Sequence, residues 1–458
     1  MEIKQFEDKN LAHFSYAIES HGEIALIDPS RDPGPYYAYA KQKNAKISVI
    51  IETHPHADFV SGHLEIALAT GATVFVSKLL GADYPHQTFD DDDAIVLGNI
   101  TLKSLNTPGH SPDSISIVAI DQYGIEKAVF TGDTLFIGDC GRPDLREEAG
   151  AIKASRNQLA SQMYHSLRNK LMVLPDDVLV YPAHGSGSLC GKALSEAVSS
   201  TIGEEKNHNW SLQKMTESEF IKELLSDQPF VPKYFPFDVW LNKKGAAPFK
   251  SSTMAVPRRA PVTCKGCAAS LDPSILIIDT RPEDRFKQGH LKDAINLMAE
   301  TKFETWLGSI VNPGEKFYLV AENESVLDKI IERVAKIGYE NQILLAFISD
   351  YGNDEMEIFD PESLKKNESA FTIVDIRNES ESRNEKVFTN TVNIPLYELR
   401  ERIGEIPLDK PVLVHCAGGF RSAAGSSILH AGLRGKARVY DLGEAIRDFR
   451  CEQTVLND

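Results

Sequence analysis

What this 458-residue chain lacks narrows its identity first. Its six cysteines, at 140, 190, 264, 267, 416 and 451, are too sparse and scattered to form the disulfide framework of a secreted scaffold, so a reducing, cytoplasmic setting is expected. No apolar run approaches the roughly 20 residues of a membrane span, and the opening "MEIKQFEDKN" is too polar for a signal peptide. Basic residues are in deficit, 49 Lys and Arg against 66 Asp and Glu, which argues against a nucleic-acid partner. Any anionic substrate must therefore be held by local groups.

What is present reads as an α/β protein of several cores, since the length exceeds what one ordinary core accommodates. Strand-like runs such as "EIALIDP" (23–29) and "KISVIIE" (46–52) alternate with helical patterns such as "HLEIALAT" (63–70). A segment bearing Pro and Ser, "SSTMAVPRRAP" (251–261), reads as a linker. Beyond it the chain repeats itself. "IIDTRPEDRFKQGHLKDAINL" (277–297) returns as "IVDIRNESESRNEKVFTNTVNIPL" (373–396), with Asp279 and Asp375 in matching places. A spacing near a hundred residues is far longer than a solenoid repeat and predicts two tandem doubly wound domains. The expected boundaries are 1–245, 246–350 and 351–458.

The first chemical constellation opens with "THPHADF" (53–59), directly after a strand, where open α/β sheets keep their sites. Three further turns bring ligand types beside Gly or Pro: His110 in "TPGHSPDS", Asp133 in "VFTGDTLF" and His184 in "VLVYPAHGSGS". Core packing does not account for four such turns together. In this order "THPHAD", "PGH", "TGD" and "YPAH" resemble the metallo-β-lactamase superfamily, and "CGRPDL" (140–145) resembles its persulfide dioxygenases. The resemblance implies an αββα sandwich holding one Fe(II) per chain on His54, His110 and Asp133. Two histidines and a carboxylate on one face also form the facial triad of non-haem iron oxygenases.

Where dinuclear hydrolases of the superfamily place another histidine, this chain has Phe59. The substitution removes a ligand from a second metal and points away from hydrolysis. His56, Asp58 and His184 are expected to support the metal ligands. Arg142 is expected either to hold an anionic group of the substrate or to pair with an acid such as Asp144. Cys190 is a candidate for reaching the metal pocket.

The second constellation is "VLVHCAGGFRSAAGSSILHAGL" (412–433), a strand, a short Gly-rich loop and a helix. Cys416 begins the loop, Ala417, Gly418, Gly419 and Phe420 can curl their N–H groups around its sulfur, and Arg421 adds fixed positive charge. The segment resembles a rhodanese active-site loop, which implies that Cys416 carries sulfane sulfur as a persulfide. Related phosphatase loops are typically one residue longer. In the first copy of the repeat, "FYLVAENESVLDK" (317–329) puts Ala321 or Glu322 where Cys416 stands, so that domain resembles a degenerate rhodanese with a spacing or docking role.

The expected substrates are a small thiol persulfide and O2, giving sulfite, with sulfurtransfer between sulfite and thiosulfate at Cys416. Large members of the family self-associate, so a homo-oligomer is also expected. A zinc thioester hydrolase of glyoxalase II type is the competing reading. A single "CKGC" (264–267) has no second pair to complete a metal site.

Overall fold

A computed structural model describes residues 1–145, 155–192 and 194–450; Cys451 lies outside them. It divides into two compact units, one of residues 1–254 with 335–338 and the other of residues 255–334 with 339–458.

The first unit contains two six-stranded sheets. One runs β1 (Glu2–Asp8), β2 (His13–Ser20), β3 (Glu23–Ile27), β4 (Lys46–Ile51), β5 (Thr73–Val76) and β6 (Gln87–Thr88) in spatial order. The other comprises β7 (Ala94–Leu97), β8 (Ile100–Asn106), β9 (Ile115–Ile120), β10 (Glu126–Gly132), β11 (Leu179–Pro182) and β12 (Ser200–Thr201), again each beside the next.

Alternation along the strands explains the layering, because successive side chains leave a strand on opposite faces. Val49 and Ile51 of β4, Ile115 and Ile117 of β9 and Ala128 and Phe130 of β10 meet in one core between the sheets. Their neighbours point outward. Ile50 joins a core with Tyr36, Tyr39 and Ile66 of helices Gly34–Lys43 and His63–Thr70. Val118 and Val129 join Ala160 and Met163 of helix Arg156–Ser166. Three apolar layers thus enclose two sheets, which is the αββα sandwich.

The second unit holds two four-stranded parallel sheets of identical order. The first is β14 (Ile295–Asn296), β13 (Leu276–Asp279), β15 (Phe317–Ala321) and β16 (Ile343–Ile348). The second is β18 (Thr391–Asn393), β17 (Thr372–Asp375), β19 (Val412–His415) and β20 (Val439–Asp441).

The repeat extends to individual contacts. Arg281 forks onto Asp279 and Arg377 onto Asp375, while the amides of Asn296 and Asn393 each donate to the two carbonyls flanking that turn. Asp279 pairs with Val320 as Asp375 pairs with His415. The next residues therefore correspond, which settles the ambiguity in favour of Ala321 opposite Cys416.

The segment read as a linker is ordered at its start. Helix Phe249–Met254 buries Phe249 and Thr253, so "SSTM" ends a helix and the change of unit comes after Met254. Ser and Thr signal turns only when their side chains compete with a helix that lacks apolar anchors. No helix among the described residues is long and apolar enough to cross a membrane.

Candidate active site

His54 follows β4, and its ring orientation is fixed by a short chain of hydrogen bonds. The Thr53 hydroxyl donates to Asp28 at 2.8 Å, so the His54 Nδ1–H donates to that same Thr53 oxygen at 3.0 Å. His110 places its Nδ1–H on the Arg142 carbonyl at 2.9 Å, and His184 places its own on the Ala12 carbonyl at 3.2 Å. An imidazole that donates from Nδ1 presents a lone pair on Nε2 when neutral. All three Nε2 atoms turn toward Asp133: His54 at 3.7 Å, His110 at 3.4 Å and His184 at 3.6 Å.

Asp133 is buried, and neither carboxylate oxygen receives a hydrogen bond. A buried carboxylate surrounded by imidazole lone pairs is unfavourable unless a cation sits among them. His54, His110 and Asp133 offer ligand atoms within 4.8 Å of one another, so the donor set fits a metal ion. Two glycines permit this approach. Gly132, at φ +51°, has a left-handed backbone where a side chain would also strike Thr53, and a side chain at Gly141 would collide with the Asp133 carbonyl. The "CGRPDL" segment thereby presses its backbone on the ligand turn.

A second set lies alongside. His56, Asp58 and His184 also converge within 4.8 Å, with His184 Nε2 at 3.4 Å from Asp58. The Phe59 ring lies against His56 with centroids 4.4 Å apart, and against His13 at 3.9 Å. Burial opposes charge on His56, but Asp28 at 3.1 Å and Glu52 outweigh it and raise the imidazole to about 9. Burial raises the Asp58 carboxyl, and burial with Asp28 raises Glu52. Sequence reasoning missed His13, Asp28 and Glu52. Asp28 in "LIDP" had the same strand-end position as His54, and this was the signal available.

Arg142 is buried, and its guanidinium is engaged: Nε and one terminal nitrogen grip Asp144 at 2.7 Å, and the other donates to the carbonyls of Leu189 and Phe230. The ion pair of the two readings is the one present, and the residue supports His110 through its backbone. Cys190 lies with Asp133 and His184 within 4.8 Å; burial, Asp58 and Asp133 push its thiol well above the usual range. A cavity of about 360 Å³ borders Phe59 and His13, lined also by Ser15, Ser30 and Tyr36.

In the second unit Cys416 follows β19 and is buried, and the Gly419 N–H donates to its sulfur at 3.2 Å. Gly419 has φ +107°, a conformation that opens the loop into helix Phe420–Gly432. Arg421 does not point at the sulfur alone. It forms a two-pronged pair with Glu381 at 2.6 and 2.7 Å and lies over the Trp306 ring at 5.7 Å. Trp306 belongs to the first copy of the repeat, so that copy contributes one wall beneath the arginine. Its own counterpart of the loop carries Glu322 after buried Ala321. Cys264 is exposed and Cys267 half-buried.

Comparison with known proteins agrees with this division. The metallo-beta-lactamase superfamily model matches residues 9–184, and the rhodanese-like domain model matches residues 268–346 and 360–447. Human mitochondrial persulfide dioxygenase ETHE1 is 32% identical over 202 residues, covering 44% of this chain and 70% of that protein. The cytoplasmic hydroxyacylglutathione hydrolase of Arabidopsis thaliana is 34% identical over 176 residues, covering 38% of this chain and 63% of that one. A metallo-beta-lactamase crystal structure from Staphylococcus aureus subsp. aureus COL is 32% identical, with a TM-score of 0.66, covering 76% of this chain and 98% of that one. The chain belongs to the persulfide dioxygenase family of the metallo-beta-lactamase superfamily and carries rhodanese-like domains in its second half.

Proposed function

We propose that this chain oxidises a small thiol persulfide with O2 and passes sulfane sulfur through Cys416, acting in clearance of reactive sulfur in the cytoplasm. The observation that carries the reading is the convergence of the His54 and His110 Nε2 atoms on the buried, unpartnered carboxylate of Asp133. Fe(II) held there, one per chain, would supply an open coordination face for a thiolate sulfur and dioxygen.

The surrounding residues orient and desolvate. Thr53 and the Arg142 carbonyl fix the tautomers of His54 and His110, and His56 is tied to Asp28. Phe59 provides an apolar wall that excludes water beside the reacting sulfur. The overall change balances as RSSH + O2 + H2O giving RSH, sulfite and two protons.

At Cys416 a persulfide then donates its outer sulfur to sulfite. The S–S bond breaks, the new S–S bond of thiosulfate forms, and the cysteine returns as thiol. The Gly419 N–H and the start of helix Phe420–Gly432 stabilise the departing thiolate. The sulfur can flow in the reverse direction by the same groups.

O2 uptake by iron-loaded protein with a thiol persulfide is the expected outcome, and no uptake discards the dioxygenase reading. A second reading, a dinuclear zinc thioester hydrolase, draws support from the convergence of His56, Asp58 and His184 and from the hydroxyacylglutathione hydrolase relatives. Metal analysis separates them: one iron per chain supports the first, two zinc the second.

A further inference from the structure

A third cluster of metal-ligand side chains lies in the second unit, away from both sites above: His290, Asp354 and His430. His290 and Asp354 are fastened to each other by backbone, the N–H of each donating to the carbonyl of the other at 3.0 and 3.1 Å. His290 is buried and stacked on Phe286 with centroids 3.8 Å apart. Its Nδ1–H donates to the Phe286 carbonyl at 2.8 Å, so the neutral ring presents its lone pair on Nε2. That lone pair faces an Asp354 carboxylate oxygen at 3.6 Å.

Two electron-rich groups thus confront each other. The arrangement calls for a proton or a cation between them. Burial pulls the His290 imidazole down, which disfavours the proton. Burial works against the Asp354 charge, but Arg434 and His430 outweigh it and hold the carboxyl at about 2, so it stays ionised.

His430 completes the set from the far half of helix Phe420–Gly432, with Nε2 3.3 Å from the other Asp354 oxygen. Arg434 occupies the oxygen that faces His290 and also pairs with Asp293 at 2.8 Å. Outer partners of this kind, a carbonyl on the histidine and a fork donor on the carboxylate, are what orient metal ligands in known centres. The three ligand atoms lie within 4.8 Å of one another, against the roughly 3.4 Å that tetrahedral zinc with about 2.0–2.1 Å bonds imposes. A small inward shift of the half-exposed His430 suffices.

We propose that His290, Asp354 and His430 form a separate metal centre for a borderline divalent cation, Zn(II), which fastens the helix beginning at the Cys416 loop to the turn after β16. Two imidazoles and a carboxylate suit zinc, with a fourth position for water. The centre is structural for the sulfur-carrying loop and independent of the chemistry in the first unit.

The test uses the full-length chain carrying His54→Ala and His110→Ala, stripped with a chelator and titrated with Zn(II) alone. The expected result is one zinc per chain that falls by about 100-fold in affinity when His430→Gln or Asp354→Asn is added. Co(II) titration reports the same loss as disappearance of visible absorption. A background chain that binds no zinc overturns the proposal, as does zinc binding unchanged by His430→Gln and Asp354→Asn. Circular dichroism of the variants separates a lost ligand from a lost fold, and in a misfolded variant the background titration decides.

Discussion

The Phe59 ring covers the face of His56, 4.4 Å away, and so occupies the place from which a histidine would address the neighbouring carboxylate Asp58. His56, Asp58 and His184 still converge, and the missing element of a second metal site is this one side chain. Phe59→His should raise bound metal from one to two per chain and lower persulfide-dependent O2 uptake about 10-fold by wetting the wall. Metal analysis and oxygen consumption check it. Unchanged stoichiometry would show that more than Phe59 separates the two chemistries.

Legibility in the sequence followed the range of the forces involved. The strands around His54, His110 and Asp133 were readable because burial on alternating faces imprints a period of two, and the turns because Gly and Pro mark them. The 96-residue repeat was readable for the same reason. What escaped was set by contacts between distant segments. Nothing near Arg421 announces that Trp306 lies under it, and nothing near Arg142 reveals that Asp144, Leu189 and Phe230 consume its donors. His13 was hidden because a strand-start histidine gains meaning only when Phe59 and His184 fold against it.

The register of the two parallel sheets makes Ala321 the counterpart of Cys416. A cysteine placed there would nevertheless meet Glu322 and lack the paired glycines that let backbone N–H groups close on a sulfur. Ala321→Cys in a Cys416→Ser background is therefore expected to remain unlabelled after persulfide treatment, read by mass spectrometry of the intact chain. Labelling at position 321 would mean that strand-end position alone suffices.

Arg421 is held by Glu381, whose carboxyl lies below its ordinary range because Arg421 and the Asn378 N–H outweigh the effect of burial. Glu381→Gln frees one prong and lets the first helical turn after Cys416 shift. Because small misplacements of reacting groups carry large rate effects, sulfurtransfer from thiosulfate should fall about 10- to 100-fold in kcat. O2 uptake should be unaffected, since that chemistry is assigned to the first unit. Equal loss of both activities would indicate general unfolding, which circular dichroism would register.

His415 ends β19 directly before Cys416, and it is the group whose protonation most directly threatens that strand. It is fully buried with its ring edge-on to Phe388, and burial pulls its imidazole down to about 4. An unfolded histidine titrates near 6.5, so between 6.5 and 4 the unfolded chain binds the extra proton and the folded chain does not. Stability rises with pH across that window. The contribution is complete above 6.5 and is lost as the pH falls toward 4, a difference on the order of 3 kcal/mol. Urea unfolding at pH 7 and pH 4.5 should therefore show a smaller drop in midpoint for His415→Gln than for the unsubstituted chain. Other titrating groups cancel in the comparison, because both proteins contain them. Identical drops would assign the acid sensitivity elsewhere and leave His415 a packing residue only.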